Sequence, residues 1–329
     1  MSVLDIYRIP NPSSHQAMAL KEVIFRHWQY FLSLTFSFSR QGTIGKLSDE
    51  ILLTMFHYYL HSSESPRYWP KLGHICRRWR RLIFKSQRSL HLRLFCMPGA
   101  PVLETLYLWP ALPIVVQYGG SPASDPPVPE DEDNIVAALK QSDRVSSISL
   151  TVTKPLLEKL SALERPFSEL EDLVLLCGDV PLALSSAFRW GQRLRNLHLT
   201  RVAIPALPRL LFLSTALVKL QLHEVSDVGY ISPEAFAIAL AGMSHLQTLS
   251  LPTLSSAHYT DFNCLPPSSE RITLLSLTKL RYRGTSEYLY SLAARIDAPQ
   301  LGIIDITLFS PPPGLIRWAT GQNRLSTSR

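Results

Sequence analysis

Between residues 145 and 306 the chain repeats one short apolar pattern, apolar-x-x-apolar-x-apolar, seven times. The copies are Val145-Ile148-Leu150, Leu170-Leu173-Leu175, Leu194-Leu197-Leu199, Leu217-Leu220-Leu222, Leu246-Leu249-Leu251, Leu277-Leu280-Tyr282 and Leu301-Ile304-Ile306. Successive copies start 25, 24, 23, 29, 31 and 24 residues apart. In an extended chain the last two apolar residues of each copy share one face, and the residues between them point the other way. A row of such strands can bury one face and must leave the opposite face to polar contacts.

The stretches between copies carry helix signals. Thr153 with Pro155 opens LLEKLSAL, Ser232 with Pro233 and Glu234 opens AFAIALAGM, and Thr285 or Ser286 opens EYLYSLAARI. A capping hydroxyl followed by proline in the first turn is a helix start. The period is within or just above that of leucine-rich repeats, which the series resembles. The resemblance implies an α/β fold: an irregular solenoid with parallel strands inside and helices outside. The asparagine that usually closes each repeat's turn is missing; Gly178, Val202, Val225 and Leu254 stand there instead. Irregular turns and uneven curvature are therefore expected.

A second pattern lies at Leu47 to Leu82. Ile51, Leu52, Met55, Phe56 and Tyr59 form one helical face, with Ser48 placed to cap it and Asp49 and Glu50 at its positive end. Leu72, Ile75, Cys76, Trp79, Leu82 and Ile83 form a second stripe, with Arg77, Arg78, Arg80 and Arg81 on the other faces. Two such helices cannot bury both faces alone. The residues Leu47, Glu50, Ile51, Leu52, Phe56, Ile75, Cys76, Trp79 and Leu82 resemble an F-box, the module by which substrate receptors dock on the Skp1-type adaptor of cullin–RING ubiquitin ligases. Ser48 replaces the family's usual proline, and the loop His61 to Arg67 is longer than in compact examples. The order of parts, together with Leu277 to Ile306, is similar to a large group of fungal F-box proteins.

The expected organisation is a low-order arm at 1–42, an F-box at 43–88, a joining or capping segment at 89–117, a flexible acidic, proline-rich linker at 118–133, the repeat domain at 134–309 and a polar tail at 310–329. Leu90-Leu92-Leu94 alternates like a first strand, and Pro252 to Ile272 reads as a surface loop. Within the arm, Val23 to Phe38 is apolar but too interrupted by polar residues to span a bilayer. An intracellular protein, cytoplasmic or nuclear, is expected.

Chemistry is thinly represented. Four cysteines, Cys76, Cys96, Cys177 and Cys264, lie far apart, which argues against zinc and against a disulfide scaffold. There is no P-loop, G-x-G-x-x-G, H-E-x-x-H or G-x-S-x-G motif. The net charge of +7 is modest for 329 residues, and the arginines around Trp79 read as a solvated helix face. No cofactor, nucleic acid or membrane partner is expected, and Cys76 in its apolar stripe is expected to act as a small hydrophobe.

The resemblance implies a non-catalytic substrate adaptor. The Skp1-type adaptor, and through it the cullin, would be held by Leu47, Ile51, Leu52, Phe56, Ile75, Trp79 and Leu82, in an interface on the order of 1,600 Å². Strand parity assigns the substrate face to Asp172, Val174, Leu176, Asn196, His198, Thr200, Lys219, Gln221, His223, Lys279, Arg281, Arg283 and Asp305. The substrate-binding positions among them are Asn196, His198, Lys219, Gln221, His223, Lys279, Arg281 and Arg283. Lys279, Arg281 and Arg283 would favour an acidic or phosphorylated segment. The competing expectation is a leucine-rich-repeat interaction scaffold that keeps an F-box-like cap without a ligase role.

Overall fold

An L-x-L strand buries its leucines only if neighbouring strands align theirs and a second layer covers them. The computed structural model describes residues 47–62, 69–99, 102–109, 111–119, 127–163, 165–178, 182–184, 188–204, 207–224, 231–252 and 271–308. The arm at 1–42, most of the loop His61 to Arg67, the middle of the linker, the interior of the loop Pro252 to Ile272 and the tail at 310–329 lie outside the described residues. The chain divides into two compact units that meet between Leu92 and Arg93.

The first unit contains α1 (Asp49–Ser62), α2 (Trp69–Ile75) and α3 (Arg77–Lys85). Helix α1 starts where the sequence places it: the Ile51 amide donates to Ser48 Oγ at 3.4 Å, and the Leu52 amide to the Ser48 carbonyl at 3.1 Å. The apolar stripe from Leu72 to Leu82, expected as one helix, is two. Cys76 breaks it with extended backbone (φ −156°, ψ 167°), and its sulfur accepts from the Trp79 amide. The thiol is exposed, so Cys76 is a helix cap and not the small core hydrophobe expected. The break separates the directions of Ile75 and Trp79, which the continuous stripe had aligned.

The second unit holds α4 (Val102–Leu108), α5 (Pro129–Leu139), α6 (Lys154–Ser161), α7 (Leu207–Phe212), α8 (Pro233–Leu240) and α9 (Ser286–Ala293). Its strands are β1 (Leu94–Cys96), β2 (Ile114–Tyr118), β3 (Val145–Val152), β4 (Asp172–Cys177), β5 (Leu182–Ala183), β6 (Asn196–Thr200) and β7 (Val202–Ala203). They continue as β8 (Lys219–His223), β9 (Thr248–Pro252), β10 (Ile272–Thr273), β11 (Lys279–Gly284), β12 (Ile296–Asp297) and β13 (Ile303–Leu308). Nine of them form an all-parallel sheet in the order β1-β2-β3-β4-β6-β8-β9-β11-β13, and β5–β7 and β10–β12 are two-stranded parallel ribbons. All seven apolar repeats fall in this sheet, in chain order. The protein is an α/β protein with interspersed helices.

Register aligns the leucines. Leu173 pairs with Leu197, Leu197 with Leu220, Leu220 with Leu249 and Leu249 with Leu280. Their face is the core, and helices cover it: Tyr282 of β11 stacks on Tyr288 of α9, with centroids 6.3 Å apart. Two of the expected helix starts are seated by their hydroxyls. Thr153 Oγ1 accepts from the Leu156 amide at 3.3 Å and Ser232 Oγ from the Ala235 amide at 3.2 Å.

The joining and linker segments differ from expectation. Residues 87–91 form a turn in which His91 has a φ of 50°, so the Leu90-Leu92-Leu94 alternation yields a strand only from Leu94. From Arg93 onward the expected joining segment belongs to the sheet unit. Its alternating Ile114, Val116 and Tyr118 face the core as strand β2, which places Tyr118 inside the sheet and not at the start of a linker. At the other end, Pro129 to Asp133 opens helix α5. Proline in the first turn, followed by acids at the positive end of the helix dipole, is a helix start concealed in an acidic, proline-rich composition. Cys96, Tyr118, Asp131 and Asn134 then knit β1, β2 and α5: Cys96 Sγ lies 3.6 Å from the Asn134 carbonyl and Tyr118 Oη 3.4 Å from Asp131 Oδ1. Burial pushes the Cys96 thiol up to about 12, so it stays protonated.

The irregular turns take a specific form. Arg201 and Glu224, each two residues past the last leucine of its repeat, adopt left-handed φ of 56° and 49°. Such backbone costs a non-glycine residue about 1 kcal/mol or more. Side chains stand in for the missing asparagines: Arg201 Nε donates to Glu224 Oε2 at 2.5 Å, and its Nη1 donates to the Gly178 carbonyl at 2.7 Å.

Candidate binding surfaces

In the helical hairpin the motif residues divide by burial. Leu52 and Phe56 are 0% exposed, and Trp79 and Leu82 are buried with them. Phe56 and Trp79 meet edge to face, with centroids 4.7 Å apart, an arrangement favourable for aromatic rings. Leu52, Phe56, Trp79 and Leu82, expected among the adaptor contacts, are thus buried in the free hairpin. Ile51 is 50% exposed and Ile75 41%, while Leu47 is half-buried. Tyr58, at i+7 from Ile51 on the same helical face, is exposed as well.

Electrostatics locks the start of the hairpin. Arg78 donates from Nε and Nη2 to Asp49 Oδ1, at 3.0 and 2.6 Å, and from Nη2 to the Leu47 carbonyl at 2.5 Å. Two of the arginines read as a solvated face are therefore structural ties: Arg78, and Arg80, whose Nε donates to the Gly73 carbonyl at 2.9 Å although the residue is exposed, while Arg77 and Arg81 are exposed. Glu50, at the helix N-terminus, has its carboxyl held below the usual range by backbone hydrogen bonding and by Ser48.

The second surface is the face of the sheet opposite the leucines. Register places its side chains in rows. One row runs Ser147, Asp172, Asn196, Lys219, Thr248, Lys279. The next runs Ser149, Val174, His198, Gln221, Ser250, Arg281, Asp305, and a third brings together Leu176, Thr200 and His223. All eight expected substrate-contact residues stand on this face. Leu176, assigned there by parity, is buried and does not offer a polar-face contact; Ser250 is buried as well. Thr248, on a repeat strand given no substrate-face residue in the sequence reading, stands on this face as well.

His198 and His223 lie with ring centroids 5.0 Å apart, and His198 Nε2 is 3.1 Å from Thr200 Oγ1. Burial, and then the neighbouring His223, pull His198 down to about 4. Burial lowers His223 also; Arg281 adds to this while Glu224 opposes it. Both rings are neutral near pH 7. The folded state then binds fewer protons than the unfolded state below the ordinary histidine value of about 6.5, so stability falls as pH drops from 6.5 towards 4. Replacing His198 by Gln is expected to recover on the order of 1 kcal/mol at pH 4.5, after solvent screening of a half-buried ring, and nothing at pH 7.5. Urea midpoints of both proteins at the two pH values measure this; equal losses on acidification would refute it.

Among the described residues, no three His, Cys, Asp or Glu side chains gather where a metal could sit, and no helix is long and apolar enough to cross a membrane. No protein-family model, no curated protein and no solved structure matches the chain.

Proposed function

We propose that this chain is an F-box substrate receptor. The helical hairpin docks on a Skp1-type adaptor, and through it on the cullin of a ubiquitin ligase. The parallel sheet is the inner layer of an irregular leucine-rich-repeat solenoid whose polar face holds a protein substrate for ubiquitination. The chain itself is non-catalytic in this reading; transfer chemistry comes from other subunits.

One observation carries the reading. The hairpin fills its own core with Leu52, Phe56, Trp79 and Leu82 and still leaves Ile51 and Ile75 about half exposed. Branched aliphatics at the two motif positions that the core does not use suit a protein interface centre, where apolar side chains are desolvated and charge is depleted. The Skp1 identity rests on the motif spacing.

A second reading is favoured by the same burial. Because the signature Leu, Phe, Trp and Leu are core residues, their spacing is also explained by a hairpin that serves only as a cap on a repeat scaffold. Affinity capture with the full chain, probed for both adaptor and cullin, separates the readings. Recovery of both is the expected result. Absence of the adaptor refutes the receptor reading, and adaptor without cullin places the protein outside the ligase.

A further inference from the structure

His198 of β6 and His223 of β8 bring their imidazoles to 5.0 Å between centroids, with the ring planes 57° apart. Far apart in the chain, they meet because β6 and β8 pair in the sheet. Register sets Gln221 beside His198 and His223 beside Thr200, so the two rings are diagonal neighbours on the polar face. His198 Nε2 lies 3.1 Å from Thr200 Oγ1, which puts this nitrogen on the side of the ring towards the row of His223. Both rings are half-buried, and an ion from solvent can reach them.

The backbone under the pair is held in place. Arg201 directly follows Thr200 and Glu224 directly follows His223, both with left-handed φ. The Arg201 amide donates to the His223 carbonyl at 2.9 Å, and the Arg201–Glu224 ion pair ties the two turns together. Strained backbone persists where its surroundings fix it, and it gathers at functional sites. Packing does not account for the pair. Neither ring belongs to the leucine core, and two partly desolvated imidazoles side by side lower stability in acid.

We propose that His198 and His223 form a two-imidazole site for a zinc ion. Zinc binds imidazole nitrogen at about 2.0–2.1 Å, and two rings sharing one ion near the tetrahedral angle have centroids about 5 Å apart. The pair already stands at that separation. Both rings are neutral near pH 7, so no proton competes for their nitrogens. Imidazole also selects the ion: it suits zinc and its transition-metal neighbours, whereas Mg2+ and Ca2+ take oxygen donors. Among the described residues no third His, Cys, Asp or Glu completes the set, so water fills the remaining positions. Thr200 Oγ1 is placed to hydrogen-bond one such water. Around His223 the charges oppose each other: Glu224 favours a cation there and Arg281 disfavours it, while Arg281 Nε stands 3.6 Å from Asp305 Oδ2. The site is therefore open and exchangeable, unlike the closed four-ligand kind that holds a fold together. It goes beyond the receptor reading and does not depend on it, since it needs only the two paired strands.

The probe is Zn2+ itself, titrated into the purified full-length chain at pH 7.5 against a chromophoric chelator, with Mg2+ in a parallel titration. Wild type is expected to bind a zinc ion whose affinity falls about tenfold or more in His198→Gln and in His223→Gln alike. Each substitution keeps a polar side chain at a half-buried position, so both variants should unfold at the wild-type temperature when no metal is present. Saturating zinc should then raise the unfolding temperature of wild type above that of either variant. Co2+ in place of zinc should give the visible absorption bands of a near-tetrahedral site in wild type and in neither variant. Absence of zinc uptake overturns the inference, as does uptake that both variants retain or a cobalt spectrum without those bands. An equal response to Mg2+ overturns it too, because that ion has no preference for imidazole. Loss in only one variant has the same consequence, since a shared ion needs both rings.

Discussion

Aspartate placed at both Ile51 and Ile75 is expected to abolish capture of a Skp1-type adaptor while the hairpin stays folded. Both side chains are roughly half exposed, so neither fills a space the hairpin needs, and a carboxylate at either position remains in water in the free protein. At an interface the outcome reverses. Each isoleucine contributes about 1.5–3 kcal/mol when fully buried, and an aspartate there must shed its hydration without a partner. With about half of each side chain already buried, completing the burial of the pair is worth about 1.5–3 kcal/mol, or roughly tenfold to a hundredfold in affinity, before the desolvation of the aspartates is added. Leu52→Asp is the contrasting case. It places a charge in a fully buried site of the first unit, and capture would be lost through unfolding of that unit. Titration calorimetry with purified adaptor, alongside far-ultraviolet circular dichroism, separates the two routes. An Ile51→Asp/Ile75→Asp protein that binds like wild type places the adaptor surface elsewhere, or nowhere on this chain.

That contrast also marks what the sequence can convey. The motif at Leu47 to Leu82 identifies which residues recur, but spacing alone does not distinguish a residue kept for the hairpin's core from one kept for a partner. Trp79 and Ile75 belong to one stripe on a helical wheel, and only the break at Cys76 turns them apart. A backbone break capped by a cysteine sulfur carries no strong sequence signal, since cysteine is an uncommon cap. The sheet was more legible. Strand period is 2 and the repeats keep it, so parity alone places Asn196, His198, Lys219, Gln221, His223, Lys279, Arg281 and Arg283 on one face. The hidden part of the sheet was its beginning. Strands β1 and β2 lie in the segment expected only to join or cap, and helix α5 starts in a stretch whose prolines and acids read as linker composition, although Pro129 and the acids after it are helix-start chemistry. Composition averages over a window, whereas a helix start depends on the order of a few residues.

Parity also treats all seven repeats as equivalent, and burial does not. Leu199 in the middle of the sheet is 0% exposed, whereas Ile306, at the matching position of β13, is only half-buried. β13 is the last strand in the sheet order, so one side of Ile306 has a neighbouring strand in β11 and the other has none among the described residues. Truncating Leu199 to alanine is expected to cost about 2–5 kcal/mol, a large part of a domain's net stability, because it opens a cavity with close-packed walls on both sides. Ile306→Ala removes a similar volume from a site that already meets water, and a cost less than half as large is expected. Urea denaturation of the two variants under identical conditions measures the difference. Hydrogen exchange adds a local reading, with β13 amides exchanging faster than those of β6 in the wild type. Equal costs would contradict the exposure of Ile306 and would mean that this end of the sheet is covered in solution. A leucine position in such a repeat is thus not a fixed energetic quantity; its worth is set by how many neighbours the sheet order gives it.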